Sequence, residues 1–453
     1  MLMNSGSGQG GRSGVPVRWL KASWRLPKTE RAVTDETMHT WIKIAVRNLT
    51  LNLRRSVFTI LAVAVGFAAV NVFGGFADYI FAGLRDGFIY AQGEGHLSIF
   101  KAGYLTEGKI DTARFLISAQ EQTRIRRIAA RHPEIEVVTA QLGISGLVSN
   151  GQISTITLIE GRSFADMQAM RARAGGMVGR LEFFTGAPLQ DDVLHLGGLS
   201  SGLSEKIDSP IGSDVVLMAP TVEGQINALD MHVVQNFESP VQALNDMISL
   251  VTLDFVQALY DTDAVDTFSL LLSDTARTGA VKTALEKDFA ADGLRLEVQT
   301  WEAMSPLYGK VKQMFDIIFA VLFVIVLAIV IMSIINTMSM AVMERTREIG
   351  TLRALGLKRT GVVRLFAIES ALLGLLGSTL GALITLVAVW GIRLGKLSWI
   401  PPNFTTRVPV LVNLIPGDML WTLAFMVALS ITVAILPSRK AARMNIVDAL
   451  GHA

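Results

Sequence analysis

Two long runs without a charged side chain enclose a short charged segment, and this arrangement constrains the fold more than any other feature. Residues 317–343 and 370–392 contain no Asp, Glu, Lys or Arg. A helix needs about 20 apolar residues to cross the hydrocarbon core of a bilayer. Each run is therefore long enough to span a membrane, and the charged segment is predicted to be a short loop at one membrane face.

Basic residues dominate this loop. Glu344 and Glu348 stand against six basic residues, which are Arg345, Arg347, Arg353, Lys358, Arg359 and Arg364. An excess of Lys and Arg in short loops marks the cytoplasmic side of a membrane. We therefore expect the loop to lie in the cytoplasm.

The same loop has the pattern of a short amphipathic helix. Ile349, Leu352 and Leu355 recur at three-residue steps, and Gly356 follows them at a position where glycine commonly ends a helix. Two interpretations stay open on this pattern alone. The helix could lie on lipid headgroups, or it could insert into a soluble partner.

Two further spans complete the predicted membrane part. Residues 57–77 and 419–436 are also uncharged, and an amphipathic helix over 41–56 is predicted to lie along the inner membrane face. Basic residues before the first span and after the fourth predict that both termini are cytoplasmic. The composition agrees, because only 18% of the residues are charged, against about 25% in soluble proteins.

The segment between the first and second spans, 81–313, is predicted to be a folded α+β domain. An unstructured loop of this length would be exceptional. It holds 19 Lys/Arg and 29 Asp/Glu, a net charge of −10, whereas the short loops and tails are basic. We therefore expect the domain to be exported. The chain has no cysteine, so this domain must be stabilised by its core without disulfides.

Alternating apolar patterns divide this domain. Two β-hairpins are predicted, one over 144–159 with a two-residue Asn150-Gly151 turn, and one over 214–234. Two β-α-β groups, at 96–139 and 268–298, are expected to pair with each other across an inserted subdomain at about 165–250.

Polar and small residues in the third span mark two candidate contacts. Glu369 lies near the inner end, where a carboxylate is costly unless it is hydrated or paired. It could extend to the interface, or it could bind Arg364 or a neighbouring helix. Gly374, Gly377 and Gly381 give the small-xxx-small spacing of a close helix–helix contact.

The charged loop resembles a known motif. The run Glu344-x-x-x-Glu-Ile-Gly-x-Leu-Arg-Ala-x-Gly356, followed by Glu369 and the three glycines, is similar to the FtsX-type permease domain of the MacB, LolC/LolE and FtsX branches of ABC transporters. The likeness runs from about residue 315 to 449. It implies that the loop is a coupling helix for a separate ATPase, formed by Glu344, Arg345, Arg347, Glu348, Ile349, Gly350, Leu352, Arg353, Leu355 and Gly356.

The resemblance also implies a function and partners. The chain would be a permease subunit in a bacterial inner membrane, working with two ATPase subunits and a second permease subunit in a homo- or heterodimer. It would move its exported domain to release or export a lipoprotein or another lipid-like cargo. Membrane lipid is an expected partner, and a periplasmic or outer-membrane partner is compatible with this arrangement. An FtsX-like scaffold that activates a cell-wall hydrolase is the alternative.

The residues argue against catalysis in this chain. None of the six histidines forms a metal-binding pattern, and the chain has no Gly-x-x-x-x-Gly-Lys-Ser/Thr motif for ATP. We expect no catalytic residue, no metal, no cofactor and no nucleic-acid partner.

These observations predict an α-helical membrane domain with four transmembrane helices and a large exported α+β domain inserted between the first and second helices. Met38 is a candidate true start. The expected segments are a flexible basic tail at 1–40, the amphipathic helix and first span at 41–80, the exported domain at 81–313, the second span at 314–343, the coupling helix at 344–359, the third span at 360–392, an external loop at 393–416, the fourth span at 417–437 and a cytoplasmic tail at 438–453.

Overall fold

A computed structural model describes the chain over residues 28–51, 53–108, 112–175, 184–239, 242–399 and 407–444. It divides into two compact units. The large unit comprises Phe58–Ile334 and Gly374–Leu429, and the small unit comprises Met1–Val57, Ile335–Leu373 and Ser430–Ala453. Of the flexible tail expected at 1–40, residues 1–27 lie outside the described residues, as do parts of the external loop and the last residues of the C-terminal tail.

The described residues form these α-helices: α1 (Lys28–Leu51), α2 (Leu53–Asp86), α3 (Ala119–Ala129), α4 (Phe164–Arg171), α5 (Ser201–Lys206), α6 (Leu253–Tyr260), α7 (Thr278–Ala291), α8 (Trp301–Met304), α9 (Pro306–Glu344), α10 (Thr346–Ala354), α11 (Arg359–Gly395) and α12 (Pro416–Arg443). A π-helical turn, Gly87–Ala91, extends α2. The strands are β1 (Leu97–Lys101), β2 (Ile135–Ser149), β3 (Ser154–Arg162), β4 (Phe184–Gly186), β5 (Leu196–Ser200), β6 (Asp214–Pro220), β7 (Ile226–Phe237), β8 (Ile248–Thr252), β9 (Thr267–Leu272), β10 (Leu296–Thr300), β11 (Ser398–Trp399) and β12 (Val408–Pro409).

Four of the described helices are long and apolar enough to cross a membrane. They are α2 with its π-helical turn, α9, α11 and α12, with lengths of 39, 39, 37 and 28 residues. The strands β1–β10 and helices α3–α8 all lie between the first and second of these helices. This confirms the predicted architecture of four spanning helices with an inserted α+β domain.

Two helices extend beyond the segments that the sequence suggested. α1 begins at Lys28 rather than near residue 41, and α9 begins at Pro306 rather than at 314. Hydrophobic periodicity and hydropathy detect only the part of a helix that contacts an apolar environment. The added turns are polar, so these patterns miss them.

The inserted domain has one continuous sheet among the described residues, in the order β10-β1-β9-β2-β3-β8-β5-β7-β4, with β6 between β7 and β2. The segment expected to be a separate insertion therefore joins the same sheet. Its strands pair directly with strands that precede it in the chain. β8 lies parallel to β3, and β6 lies antiparallel to β2. The predicted pairing of the two β-α-β groups is present as β1 with β9 and β2 with β9.

Six strands close into a ring through their hydrogen-bonded neighbours, in the order β2-β3-β8-β5-β7-β6 and back to β2. β6 shows the alternation that such a ring requires, with Val215, Leu217 and Ala219 buried and the residues between them more exposed. These side chains form one core cluster with residues of the other five strands and with α6. The ring therefore stabilises itself around an apolar interior.

The other part of the sheet carries α3 and α7. Ile125, Leu285 and Phe289 from these helices pack with residues of β1, β9 and β10 in a second core cluster. Ser118 and Glu121 begin α3 as a reciprocal capping box, which satisfies two of the free backbone N–H groups at its start. The apolar spacing in these helices and strands thus determines which of their faces is buried.

The hairpin of β2 and β3 differs from the predicted two-residue turn. Ser149 pairs with Ser154, so the loop contains the four residues 150–153. The Asn150 side-chain oxygen accepts hydrogen bonds from the N–H groups of Gln152 and Ile153 at 2.9 and 2.7 Å, and Gly151 has a φ of +86°. The side-chain bonds of Asn150 stabilise the wider loop.

Two arginines, Arg162 of β3 and Arg171 of α4, hold the end of the π-helical turn after α2 within the large unit. Arg162 donates to the carbonyl of Gln92 at 2.6 Å and to the carboxylates of Glu94 and Glu160 at 2.6 and 3.1 Å. Arg171 donates to the carbonyl of Ala91 at 3.0 Å. The last carbonyls of a helix have no partner within it. The guanidinium groups supply that partner and fix the helix end to the domain.

Candidate functional site

The charged loop forms α10, a short helix separated from α9 by a single residue. Arg345 breaks the helix, with φ −109° and ψ 16°. The next residue, Thr346, uses its hydroxyl to bind the carbonyls of Val342 and Met343, both at 3.0 Å. These bonds satisfy the carbonyls at the end of α9, so the break is a fixed bend.

Arg345 is buried inside the small unit. Its Nη1 lies 3.5 Å from Oε1 of Glu369, and its Nη2 donates to the Asn48 carbonyl at 3.0 Å. The two charged side chains are only 10% and 4% exposed. Arg345 therefore joins the bend to α11 and α1. Of the alternatives for Glu369, the structure favours a bond to a neighbouring helix, with Arg345 rather than Arg364 as the partner.

Glu344 makes a second ion pair beside the first. Its two carboxylate oxygens accept from Arg55 at the start of α2, at 2.8 and 3.1 Å. Both side chains remain about one-third exposed. This bidentate geometry is the strong form of an Arg–carboxylate contact. The bend is thus held by three helices at once.

The other end of α10 is closed by Gly356. Its φ is +101°, and its N–H donates to the Arg353 carbonyl at 3.1 Å, while the N–H of Leu357 donates to the Leu352 carbonyl at 3.0 Å. This is a Schellman arrangement, in which a glycine tolerates the left-handed conformation. The prediction of a helix end at Gly356 is confirmed.

The exposed residues of α10 are Arg347, Glu348, Thr351, Leu352 and Ala354, and Leu355, just past its end, is exposed as well. The two leucines are 43% and 81% exposed. The opposite face is buried and includes Thr346, Ile349 and Gly350. The site therefore presents two leucines beside a pair of opposite charges.

Three residues that were expected to face the ATPase contact other parts of this chain instead. Arg345 and Ile349 are buried within the chain, and Arg353 donates to the carbonyl of Met444. The predicted apolar stripe Ile349–Leu352–Leu355 is also divided. A step of three residues falls short of a full helical turn, so two such steps separate Ile349 from Leu355 by about 120° around the axis.

The glycines of α11 lie at a close contact within the large unit. A Cβ on Gly377 would come 2.6 Å from Cβ of Val63, and a Cβ on Gly381 would come 2.7 Å from the Ala64 carbonyl oxygen. Gly374 is buried one turn earlier on the same helix. No larger residue fits at the two positions unless α2 and α11 separate.

Sequence reasoning missed Asn48 and Arg55 as members of the site. Both belong to a basic amphipathic segment whose charges appeared to face the membrane surface. The signal in the sequence was Glu369, because a carboxylate inside a spanning helix needs a cation or water as its partner.

Comparison with known proteins adds to this geometry. Residues 320–446, which include α10, match the model of the FtsX-like permease C-terminal family. This region is therefore an FtsX-like permease domain. The four long apolar helices indicate a multi-pass membrane protein.

Two relatives align with much of this chain. It is 25% identical over 345 residues to the macrolide export ATP-binding/permease protein MacB of Shigella sonnei (strain Ss046), which covers 72% of the chain and 45% of the relative. It is 24% identical over 449 residues to MacB of Escherichia coli O6:K15:H31, which covers 91% of the chain and 60% of the relative. The chain spans about half the length of the relatives it matches.

A solved structure also resembles part of the chain. The periplasmic region of MacB from Actinobacillus actinomycetemcomitans aligns at 13% identity with a TM-score of 0.34, covering 47% of this chain and 92% of that one.

Proposed function

We propose that this chain is the permease subunit of an ABC transporter in a bacterial inner membrane, and that α10 docks into a separate ATPase subunit. The exposed face of α10 carries the proposal. Leu352 and Leu355 offer apolar surface on a short helix, and Arg347 and Glu348 lie beside them. A helix that inserts such a face into a groove is a common mode of recognition.

The contacts behind this face support a mechanical role. Glu344 and Arg345 bind Arg55 and Glu369, so a force applied to α10 reaches the starts of α2 and α11 through ion pairs. α9 leads directly into the bend as one helix of 39 residues. Motion of the ATPase would therefore move the spanning helices rather than a loose loop.

The contacts at the C-terminal end of α2 support transmission of this motion to the inserted domain. Arg162 and Arg171 bind the last carbonyls of this helix to the sheet domain. A displacement of α2 along its axis would then move the exported domain. In this proposal two permease subunits and two ATPase subunits form the complex, with the second permease subunit either identical or different.

The name of the MacB relatives joins ATP-binding and permease parts in one protein. We propose that the ATP-binding part acting with this chain is a separate subunit. We propose that its cargo is a lipoprotein or another lipid-like molecule, because large apolar residues such as Ile317, Val324 and Met332 dominate the exposed surface of α9. An apolar cargo handled at the outer leaflet needs no hydrophilic channel.

The test reverses one exposed charge on α10. The Arg347→Glu variant should bind the ABC ATPase that co-purifies with the unaltered chain at least tenfold more weakly, because reversing a charge at an interface costs about 2–5 kcal/mol. Binding and ATP turnover are measured on the full chain in nanodiscs.

Arg439→Glu is the matched control. Arg439 is also exposed in the small unit, but it belongs to α12 rather than to α10. It should leave affinity within about twofold. Equal affinity of both variants and the unaltered chain would mean that α10 lies on headgroups and would overturn the proposal.

A further inference from the structure

A cavity of about 330 Å³ lies among four elements of the large unit. Its walls come from α2, α9, α11 and the start of α12, and they include Asn71, Gly74, Phe319, Thr385, Asp418 and Trp421. This volume is at the lower end of the range for small-molecule sites, which is about 300–1,000 Å³. The cavity lies between helices that are long and apolar enough to span a membrane.

The walls explain why space remains at this point. Gly75 contacts the segment before α12 so closely that a Cβ would lie 2.1 Å from the Asn413 carbonyl oxygen, and the Asn413 N–H donates to the Gly75 carbonyl at 3.0 Å. The neighbouring Gly74 has nothing within 4 Å of its Cβ position. One glycine therefore fixes the segment to α2, and the other leaves the gap.

The cavity is amphipathic. Val70, Phe319 and Trp421 give it apolar walls, while Asn71 and Thr385 use their side-chain donors on the carbonyls of Phe67 and Gly381 at 2.8 and 2.9 Å. An apolar chain can thus lie along these walls without breaking a hydrogen bond. A ligand with a long hydrocarbon part suits them best.

The polar end of the cavity has one sign of charge. Asp418 contributes an exposed carboxylate in the first turn of α12, and Asn413 donates to the carboxylate of Asp78 at 2.8 Å. No Lys or Arg is among the described residues that line the cavity. A positively charged head is attracted here, and a head with only a negative charge is repelled.

We propose that this cavity binds an amphiphile with an apolar chain and an ammonium head. Its apolar walls hold the chain, and Asp418 selects the ammonium group. Two sources can supply this chemistry, an ethanolamine phospholipid of the membrane and a soluble cationic amphiphile. The cavity is separate from α10, so this proposal does not depend on the function proposed for that helix.

The test uses photoactivatable probes on the full chain in phosphatidylglycerol nanodiscs, because a phosphatidylcholine host would itself present an ammonium head. One arm contains phosphatidylethanolamine with a diazirine in its acyl chain, and a second contains the matching phosphatidylglycerol. A third adds a diazirine-bearing dodecylammonium from water. Labelled peptides are mapped by mass spectrometry. We expect an ammonium probe to label the peptides that carry Phe319 or Trp421, about fivefold more strongly than phosphatidylglycerol does.

Two variants and a control define the site. Gly74→Leu fills the gap and should lower labelling about tenfold. Gly391→Leu is the control, because Gly391 also has nothing within 4 Å of its Cβ position but lies outside the cavity. Asp418→Asn should remove the preference for ammonium over phosphatidylglycerol.

The arms identify the source. Labelling by phosphatidylethanolamine assigns the site to membrane lipid, and labelling by dodecylammonium alone assigns it to a soluble amphiphile. Both results support the proposal. Labelling that is unchanged in Gly74→Leu, equal for phosphatidylglycerol, or absent from these peptides in both ammonium arms overturns it.

Discussion

The Arg345 guanidinium lies 3.5 Å from the Glu369 carboxylate in the interior of the small unit. The pair connects the bend before α10 to the third spanning helix. Removing one partner of a buried pair leaves an uncompensated charge, which costs about 3–5 kcal/mol, whereas an apolar replacement of both is often tolerated.

The first prediction follows from this pair. Arg345→Met should lower the free energy of unfolding by about 3–5 kcal/mol, and Arg345→Met/Glu369→Met should recover much of the loss. Denaturant titration of the purified chain in bicelles measures both. If the double variant loses the sum of the two single losses, the side chains are not coupled.

The second prediction concerns the contact of α11 with α2. Gly377→Leu/Gly381→Leu should destabilise the chain by about 1–3 kcal/mol or more, because the new side chains overlap Val63 and the Ala64 carbonyl. Assembly and thermal stability are the measurements. Gly391→Leu adds the same bulk on the same helix in open space and should change neither.

The third prediction concerns the end of α10. Gly356→Ala should cost about 1 kcal/mol, because its φ of +101° strains any residue with a Cβ. The space around it is open, so strain is the entire effect. Gly391→Ala, which keeps a helical φ, should be neutral or slightly stabilising. Similar losses in both would show that the cap carries no special conformation.

The fourth prediction concerns the end of α2. Arg162→Met should raise amide hydrogen exchange across 91–96 and destabilise the domain by about 3–5 kcal/mol, since Glu94 and Glu160 lose their shared cation. Arg114→Met is the control, because Arg114 is 71% exposed in its ion pair and should contribute little. Unchanged exchange in Arg162→Met would mean that α2 is held to the sheet by apolar packing alone.

The fifth prediction concerns pH. His96 accepts from the Leu272 N–H at 3.0 Å and contacts the Thr275 hydroxyl at 2.9 Å, and burial lowers its pKa to about 4. The unfolded state therefore takes up a proton first as pH falls. This histidine should reduce stability as pH drops from about 6.5 towards 4.

Asp266 acts in the opposite direction. Burial raises its pKa to about 6, despite hydrogen bonds from the Gly143 N–H and the Tyr104 hydroxyl. Its folded state binds a proton more readily, so its contribution to stability is lost as pH rises from about 4 to 6. Comparing unfolding of the unaltered chain with His96→Gln over pH 4–7 isolates the histidine. An identical pH slope in both would contradict the assignment.

The sequence determined the spans, the charged helix between the second and third, and the sheet domain between the first and second. Length without charge fixes a spanning helix, and alternation fixes the strands of a hairpin such as β6 and β7. The cap at Gly356 was also predictable, because a left-handed residue at a helix end selects for glycine.

Tertiary structure decided which charges face outwards and how the strands are ordered. Arg345 and Arg347 are equivalent in the sequence, yet one is buried against Glu369 and the other is exposed. The closure of six strands into a ring depends on pairings between residues far apart in the chain, such as Leu147 with Met218. Local patterns fix what each segment becomes, but the partner of a buried charge or of a strand edge lies on another segment, and only packing brings the two together.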